Sequence, residues 1–188
     1  MVNFIYTMQS KANLELKHHC PDFKKIREVL KNIGAKKCGI RKQKDYFFNL
    51  AKVKGKVQPR LKLRVENKTM TLVYYERPDF SSVQETLANV MLYPIADRKF
   101  LAFLIASLGV EAIVEKRREL WKKGNTVFNV DTVKGIGNIF EVELQTSGKI
   151  TPKEKAMFKE YQKRFTPYLG KVVRGSNVDL VKKSLNPS

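Results

Sequence analysis

Cysteine is scarce in this 188-residue chain: there are two, Cys20 and Cys38. Two thiols cannot build a disulfide framework, and their scarcity fits a reducing compartment, so a cytoplasmic protein is expected. Both are expected to be buried small hydrophobes rather than nucleophiles. The two histidines stand side by side in His18-His19-Cys20. Neighbours along a strand point to opposite faces, which argues against a zinc site there. Long apolar runs are missing as well. The longest without a charge, Phe100 to Val110, is about half of what a bilayer crossing needs, so no membrane span is expected. Met1 to Ser10 has neither a basic n-region nor a long apolar stretch and does not resemble a secretory signal. Low-complexity segments and solenoid periods are absent too. Acidic residues are few: 18 Asp and Glu stand against 37 Lys and Arg, a net charge of +19.

What is present is a globular chain. Hydrophobic residues make up 43% and aromatics 10%, enough for a substantial core, and the length fits one domain. Residues 1–11 are expected to be a mobile lead-in, and 12–188 a single domain. The positive surplus calls for an anionic partner, whether nucleic acid, a phosphorylated small molecule or an anionic membrane face; a solvated lysine-rich surface explains the total equally well. Where the charges sit therefore matters more than their sum.

Alternation marks the strands. Asn13 to His19 puts Asn13, Glu15, Lys17 and His19 on one parity and Leu14, Leu16 and His18 on the other. Pro59 to Glu66 sets Arg60, Lys62, Arg64 and Glu66 against Leu61, Leu63 and Val65, and Asn67-Lys68 can turn it into Thr69 to Glu76. Further strands are predicted over Asp45 to Leu50, Glu111 to Leu120, Asn125 to Val133 and Ile139 to Thr146, with a loop over the basic stretch Ala51 to Gln58. Gly135-Ile-Gly-Asn-Ile-Phe140 has no third glycine and no following helix, so it is a hairpin connection rather than a dinucleotide loop. Helices are predicted after Asp22, from Asp97, at the capping box Thr151-Pro-Lys-Glu154, and over Val178 to Leu185. The segment from Arg77-Pro78-Asp79 to Tyr93-Pro94 is expected to be irregular, and the stretch from Tyr168 a strand or turn.

Dense charge on one strand parity fits two arrangements. The first is an antiparallel sheet with water on one face. The second is a closed barrel with apolar faces outward under helices and charged faces lining a cavity. Three amphipathic helices that need a sheet to cover favour the second. Glu15, Asp131, Glu141 and Glu143 would then offer hard oxygen ligands suited to Mg²⁺ or Mn²⁺. Lys17, Arg60, Lys62, Arg64, Lys116 and Arg118 would offer phosphate donors. Acids and bases together in one cavity suit a metal-bound polyphosphate. Phe47, Phe48, Tyr74 and Tyr75 could stack a base, although core aromatics are commoner.

Asn13-Leu-Glu-Leu-Lys17, Arg60-Leu-Lys-Leu-Arg64, Leu72-Val-Tyr-Tyr-Glu-Arg-Pro-Asp79, Val114-Glu-Lys-Arg-Arg118, Asn129-Val-Asp-Thr-Val133, Gly135-Ile-Gly137 and Phe140-Glu-Val-Glu-Leu144 occur in this order. In that order the chain resembles the CYTH family, the triphosphate tunnel metalloenzymes, and within it the class IV adenylyl cyclase-like branch. The resemblance runs from about Asn13 to Leu180. It implies an α+β fold: an eight-stranded antiparallel β-barrel forming a triphosphate tunnel, open at both ends, with helices packed on the outside. It implies Glu15, Glu141, Glu143 and Asp131 at metal, with Asp131 alternatively orienting water. It implies phosphate binding by Lys17, Arg60, Lys62, Arg64, Lys116 and Arg118, and catalytic roles for Lys17, Arg64 and Asp131.

Three positions depart from the family pattern. Asn13 replaces the first Glu of Glu-x-Glu-x-Lys, Tyr75 stands near a phosphate-binding Lys, and Asn129 stands where the branch often shows His. The leading expectation is a Mg²⁺- or Mn²⁺-dependent enzyme that binds a triphosphate such as ATP in a basic tunnel and hydrolyses it. The alternatives are a class IV-type cyclase making cyclic nucleotide and pyrophosphate, and a non-catalytic binder of nucleotide, polyphosphate or RNA. RNA as a partner and a homodimer paired through an outer face are both left open.

Overall fold

The computed structural model describes residues 9–51, 59–76, 85–146, 149–173 and 175–185. Its eight strands are β1 (Gln9–His19), β2 (Lys36–Phe48), β3 (Pro59–Glu66), β4 (Thr69–Glu76), β5 (Glu85–Ile95), β6 (Val110–Lys123), β7 (Thr126–Val133) and β8 (Gly137–Thr146). Four helices accompany them: α1 (Phe23–Asn32), α2 (Lys99–Leu108), α3 (Pro152–Phe165) and α4 (Asn177–Leu185). All strand pairs are antiparallel, and the order β1-β5-β4-β3-β2-β6-β7-β8 closes when β8 pairs with β1. Closure removes the edges that an open sheet would expose. It also turns the charged parity inward.

The outward faces are apolar because helices cover them. Leu14, Leu16, Phe128, Val130, Phe140, Val142 and Leu144 pack against Ile26 and Leu30 of α1 and Phe158, Tyr161 and Phe165 of α3. Asp22 caps α1, its Oδ1 accepting from Lys24 N at 2.7 Å, and the capping box of Thr151 and Glu154 starts α3 as its sequence requires. Leu104 of α2 sits on Phe48, Leu63 and Met70 on another side of the barrel.

Several boundaries differ from those the sequence predicts. β1 begins at Gln9, so residues 9–11 of the expected lead-in are strand, while 1–8 lie outside the described residues. β2 starts at Lys36 rather than Asp45, because its first half lacks apolar alternation and is held by pairing with the 14-residue β6, with an irregularity between Lys37 and Gly39. β5 was expected to be irregular; Glu85–Ile95 alternates poorly and contains Pro94, yet it pairs with both β4 and β1. The segment from Tyr168 contributes one bridge, His18 to Val172, rather than a strand. Cys20 is buried as expected, but Cys38 is exposed. The loop expected at residues 51–58 falls, apart from Ala51, outside the described residues up to Gln58, as does the turn at 77–79.

The most consequential difference concerns α4. It does not lie on the outer wall. Its Val178 and Val181, with Val173, pack against Phe47, Ala112, Val114, Val133 and Ile139. Those five strand residues share the inward parity, so the helix closes one end of the barrel. The tunnel is therefore plugged at that end rather than open at both.

Candidate active site

A cavity of about 250 Å³ runs inside the barrel, lined by Glu15, Lys17, Lys62, Arg64, Lys116, Arg118, Glu141 and Glu143 among others. The register explains the convergence. Lys17 stands opposite Glu141, Glu15 opposite Glu143, and Arg118 opposite Asp131, and directly opposed residues share a face. Asn13 lies in β1, but its side chain is outside the described residues. Arg60 belongs to the plugged end, where its guanidinium grips Asp179 of α4 at 2.9 and 3.1 Å and also donates to Ser176 Oγ.

Two buried carboxylates organise the cations. Asp131 accepts from Arg118 Nε at 2.8 Å and Nη2 at 2.6 Å, and from Lys116 Nζ at 3.1 Å. Asp45 accepts from Arg64 at 2.7 and 2.8 Å and from Lys62 Nζ at 2.8 Å. Each carboxylate thus fixes one arginine fork and one ammonium. Asp45 was not among the residues expected at the site. Its signal was its parity with Phe47 on a strand opposite Arg64, which becomes legible only once β2 and β3 are paired.

Electrostatics follow from this crowding. Burial alone would raise the Asp45 carboxyl, but Lys62 and Arg64 override it and hold it well below the usual range. Asp131 is likewise lowered against its burial, by Arg118 and Lys116. Glu141 is lowered by Lys17, Arg118 and Lys116; Arg118 reaches its Oε2 at 3.1 Å and Lys17 its Oε1 at 3.9 Å. The lysines move the other way from their usual value. Burial, with Arg64 and Arg118 nearby, brings Lys62 down to about 8 although Asp45 opposes this. Burial and Arg118 bring Lys116 down to about 7 against the pull of Asp131.

The interior is consequently not the basic tunnel that the sequence suggests. Lys17, Lys62, Arg64, Lys116 and Arg118 are matched one for one by Glu15, Asp45, Asp131, Glu141 and Glu143. The surplus of the +19 chain therefore lies elsewhere than in this set. Exposed Lys31, Lys36, Lys37, Lys42, Lys122 and Lys123 carry part of it.

Glu15, Glu141 and Glu143 form a hard-oxygen donor set suited to a divalent cation. Beside them the Asn129 side chain donates to Glu141 Oε2 at 3.3 Å, while its buried Oδ1 has no hydrogen-bond partner. A buried oxygen without a donor is what a cation would complete, so the residues present fit such an ion. Among the described residues no three His, Cys, Asp or Glu side chains converge tightly enough to hold one in the present arrangement. Both oxygens of Asp131 are taken by Arg118 and Lys116, so its geometry is that of a counter-ion holding those cations rather than of a metal ligand.

A closed antiparallel barrel with paired acids and bases facing inward defines a tunnel-type phosphate-binding fold, and comparison with known proteins agrees. Residues 11–171 match the CYTH domain family, and the chain belongs to it. A protein of Methanocaldococcus jannaschii named "Putative adenylate cyclase MJ0240" is 26% identical over 147 residues, 77% of this chain and 82% of that protein. Among solved structures, the PH1012 protein of Pyrococcus horikoshii superposes with a TM-score of 0.70 at 22% identity, over 89% of this chain and 98% of that one. A Hippeastrum protein, "Putative adenylyl cyclase HpAC1", described as revealing a dominant triphosphatase activity, gives 0.59 at 15% identity over 91% and 95%. At these identities the structures establish the fold alone. No helix among the described residues is long and apolar enough to cross a membrane.

Proposed function

We infer that this CYTH protein is a metal-dependent hydrolase of a triphosphate held in the barrel. The observation that carries this is the balanced interior: arginine forks and ammonium groups, each held in place by a buried carboxylate, around a cavity with an oxygen donor set at one wall. A balanced interior favours a ligand whose own charge is mostly neutralised, which a metal-triphosphate is and a bare polyanion is not. Glu15, Glu141 and Glu143, with Asn129, would hold Mg²⁺ or Mn²⁺. When bound, such an ion polarises phosphate oxygens and offsets their charge.

The chain's own groups do the rest. Lys17, Lys62, Arg64, Lys116 and Arg118 bind the phosphate oxygens and orient the chain. Arg64 and Arg118, with Lys17, meet the charge that develops as the terminal phosphoryl passes to water. Asp45 and Asp131 act through the cations, keeping them aimed without a rearrangement at the moment of reaction. Asp131 is thus a positioning residue. HpAC1, with the same fold and its described triphosphatase activity, supports hydrolysis.

The name of the Methanocaldococcus jannaschii relative supports a second reading, cyclisation, in which a ribose 3′-hydroxyl attacks the α-phosphate and pyrophosphate leaves. Incubation with ATP, GTP, thiamine triphosphate and tripolyphosphate, with Mg²⁺ or Mn²⁺, separates the two by chromatography. Orthophosphate supports hydrolysis, and cyclic nucleotide with pyrophosphate supports the cyclase. No turnover of any of the four overturns both.

A further inference from the structure

The cavity has two chemically different parts. The cations and carboxylates described above fill one. The other lies against α4 and is neutral: Phe47, Val73, Tyr75, Val90 and Val114 line it, closed by Ser176 and Asn177 at the start of the helix. Phe47, Val114 and Tyr75 belong to the apolar cluster on which Val178 and Val181 sit, which fixes this part at the plugged end. The cation there, Arg60, is already met by the carboxylate of Asp179 and so does not call for a phosphate.

Asn177 is the unexplained group. Its side chain is 8% exposed, it lines the cavity, and its Oδ1 is buried without a hydrogen-bond partner. A buried acceptor left unmade is costly, and native structures keep few of them. Around it are aromatic and aliphatic side chains. An acceptor aimed into an apolar, aromatic recess suits a flat organic group that carries an N–H donor, and it suits neither phosphate nor water-filled space.

We propose that the α4 end of the barrel binds the base of a nucleoside triphosphate, with Asn177 Oδ1 accepting from an N–H on that base. This rests on the triphosphate reading of the charged part and names the substrate class within it. The triphosphate lies along Lys62, Arg64, Lys116 and Arg118, and the base points to α4. Inorganic tripolyphosphate occupies the charged part only and leaves Asn177 unsatisfied.

The test is binding, measured by calorimetry with Mg²⁺ present. The ligands are the β,γ-methylene analogue of ATP, the same analogue of purine riboside triphosphate, which lacks the exocyclic amine, and inorganic tripolyphosphate at a temperature and time where turnover is negligible. The expected result is that the ATP analogue binds about tenfold tighter than its amine-free counterpart, the difference that one buried hydrogen bond makes. In Asn177→Leu that difference disappears while tripolyphosphate affinity stays unchanged, which also shows that the variant is folded. Equal binding of the two analogues by the wild-type protein overturns the assignment, as does a preference that survives in Asn177→Leu. If tripolyphosphate binds and the ATP analogue binds no tighter, the base pocket fails and the triphosphate reading stands. If none of the three binds, both fail.

Discussion

Arg118 and Asp131 are register partners on β6 and β7, and their side chains close a two-point contact at 2.8 and 2.6 Å inside the barrel. The Asp131 side chain is 1% exposed and that of Arg118 14%. Such a pair is weak as a source of net stability and strong as a constraint, because removing one member strands the other away from water.

Asp131→Ala should therefore destabilise the fold by about 3–5 kcal/mol, the loss typical of a broken buried pair. Arg118→Leu with Asp131→Leu together should cost less than the sum of the singles. Chemical denaturation of the two singles and the double variant checks this. Additive losses would show that the contact is not coupled.

The shifted lysines set a pH dependence. Lys116 at about 7 and Lys62 at about 8 lose protons in the free protein near neutrality, and a bound phosphate chain favours their charged forms. Triphosphate affinity should fall as pH rises from 7 to 9, with proton uptake on binding visible as a heat that depends on buffer ionisation enthalpy. For the ligand-free protein the sign is opposite. Both lysines have folded values below the unfolded one, so the folded state binds fewer protons in between, and their contribution to stability rises with pH across that interval. Asp45, Asp131 and Glu141 are lowered on folding, so their contribution is present above the ordinary carboxylate range and is lost as pH falls below about 4.

Glu143→Gln removes one carboxylate from the oxygen donor set while keeping its shape. The concentration of Mg²⁺ or Mn²⁺ giving half-maximal turnover should rise about tenfold or more, with little change in melting temperature. An unchanged metal titration would remove Glu143 from the metal site.

The grip of Arg60 on Asp179 ties α4 across the barrel end. With side chains 25% and 31% exposed, the pair is partly screened, and Asp179→Asn should lower stability by only about 1 kcal/mol. Val181→Asp, which puts a charge into the apolar seat, should lower it more and should raise proteolytic cleavage within α4. Equal protection of α4 in both variants and the wild type would mean that neither contact holds it.

The strands carrying the site were legible because charge and hydrophobe alternate so densely: β3 and β4 follow the sequence expectation to the residue, and β7 and β8 to within two residues at one end. β5 and the first half of β2 were not, since no alternation marks them and tertiary pairing alone makes them strands. Asp45 and Asn177 escaped notice for a related reason. Each is a single polar residue whose role depends on what the fold brings opposite it, Arg64 in one instance and Phe47 with Val114 in the other. Asp179 had a local signal, because Ser176 N and Oγ both donate to its Oδ2 in the manner of a helix cap, at 2.7 and 2.9 Å. Its hold on Arg60 had none. The basic tunnel was misjudged because parity shows which residues share a face but not how many acids a closed barrel adds from the far wall.

Orthophosphate release from ATP and tripolyphosphate, with and without Mg²⁺ or Mn²⁺, tests the central claim most directly when run on the wild-type protein, Arg118→Ala and Lys42→Ala. Lys42 is an exposed lysine of β2 on the face opposite the cavity. The account predicts metal-dependent release by the wild-type protein, release by Lys42→Ala within about twofold of it, and a loss of about 10²–10³ in kcat for Arg118→Ala. Metal-independent release, or equal losses in the two variants, would contradict it.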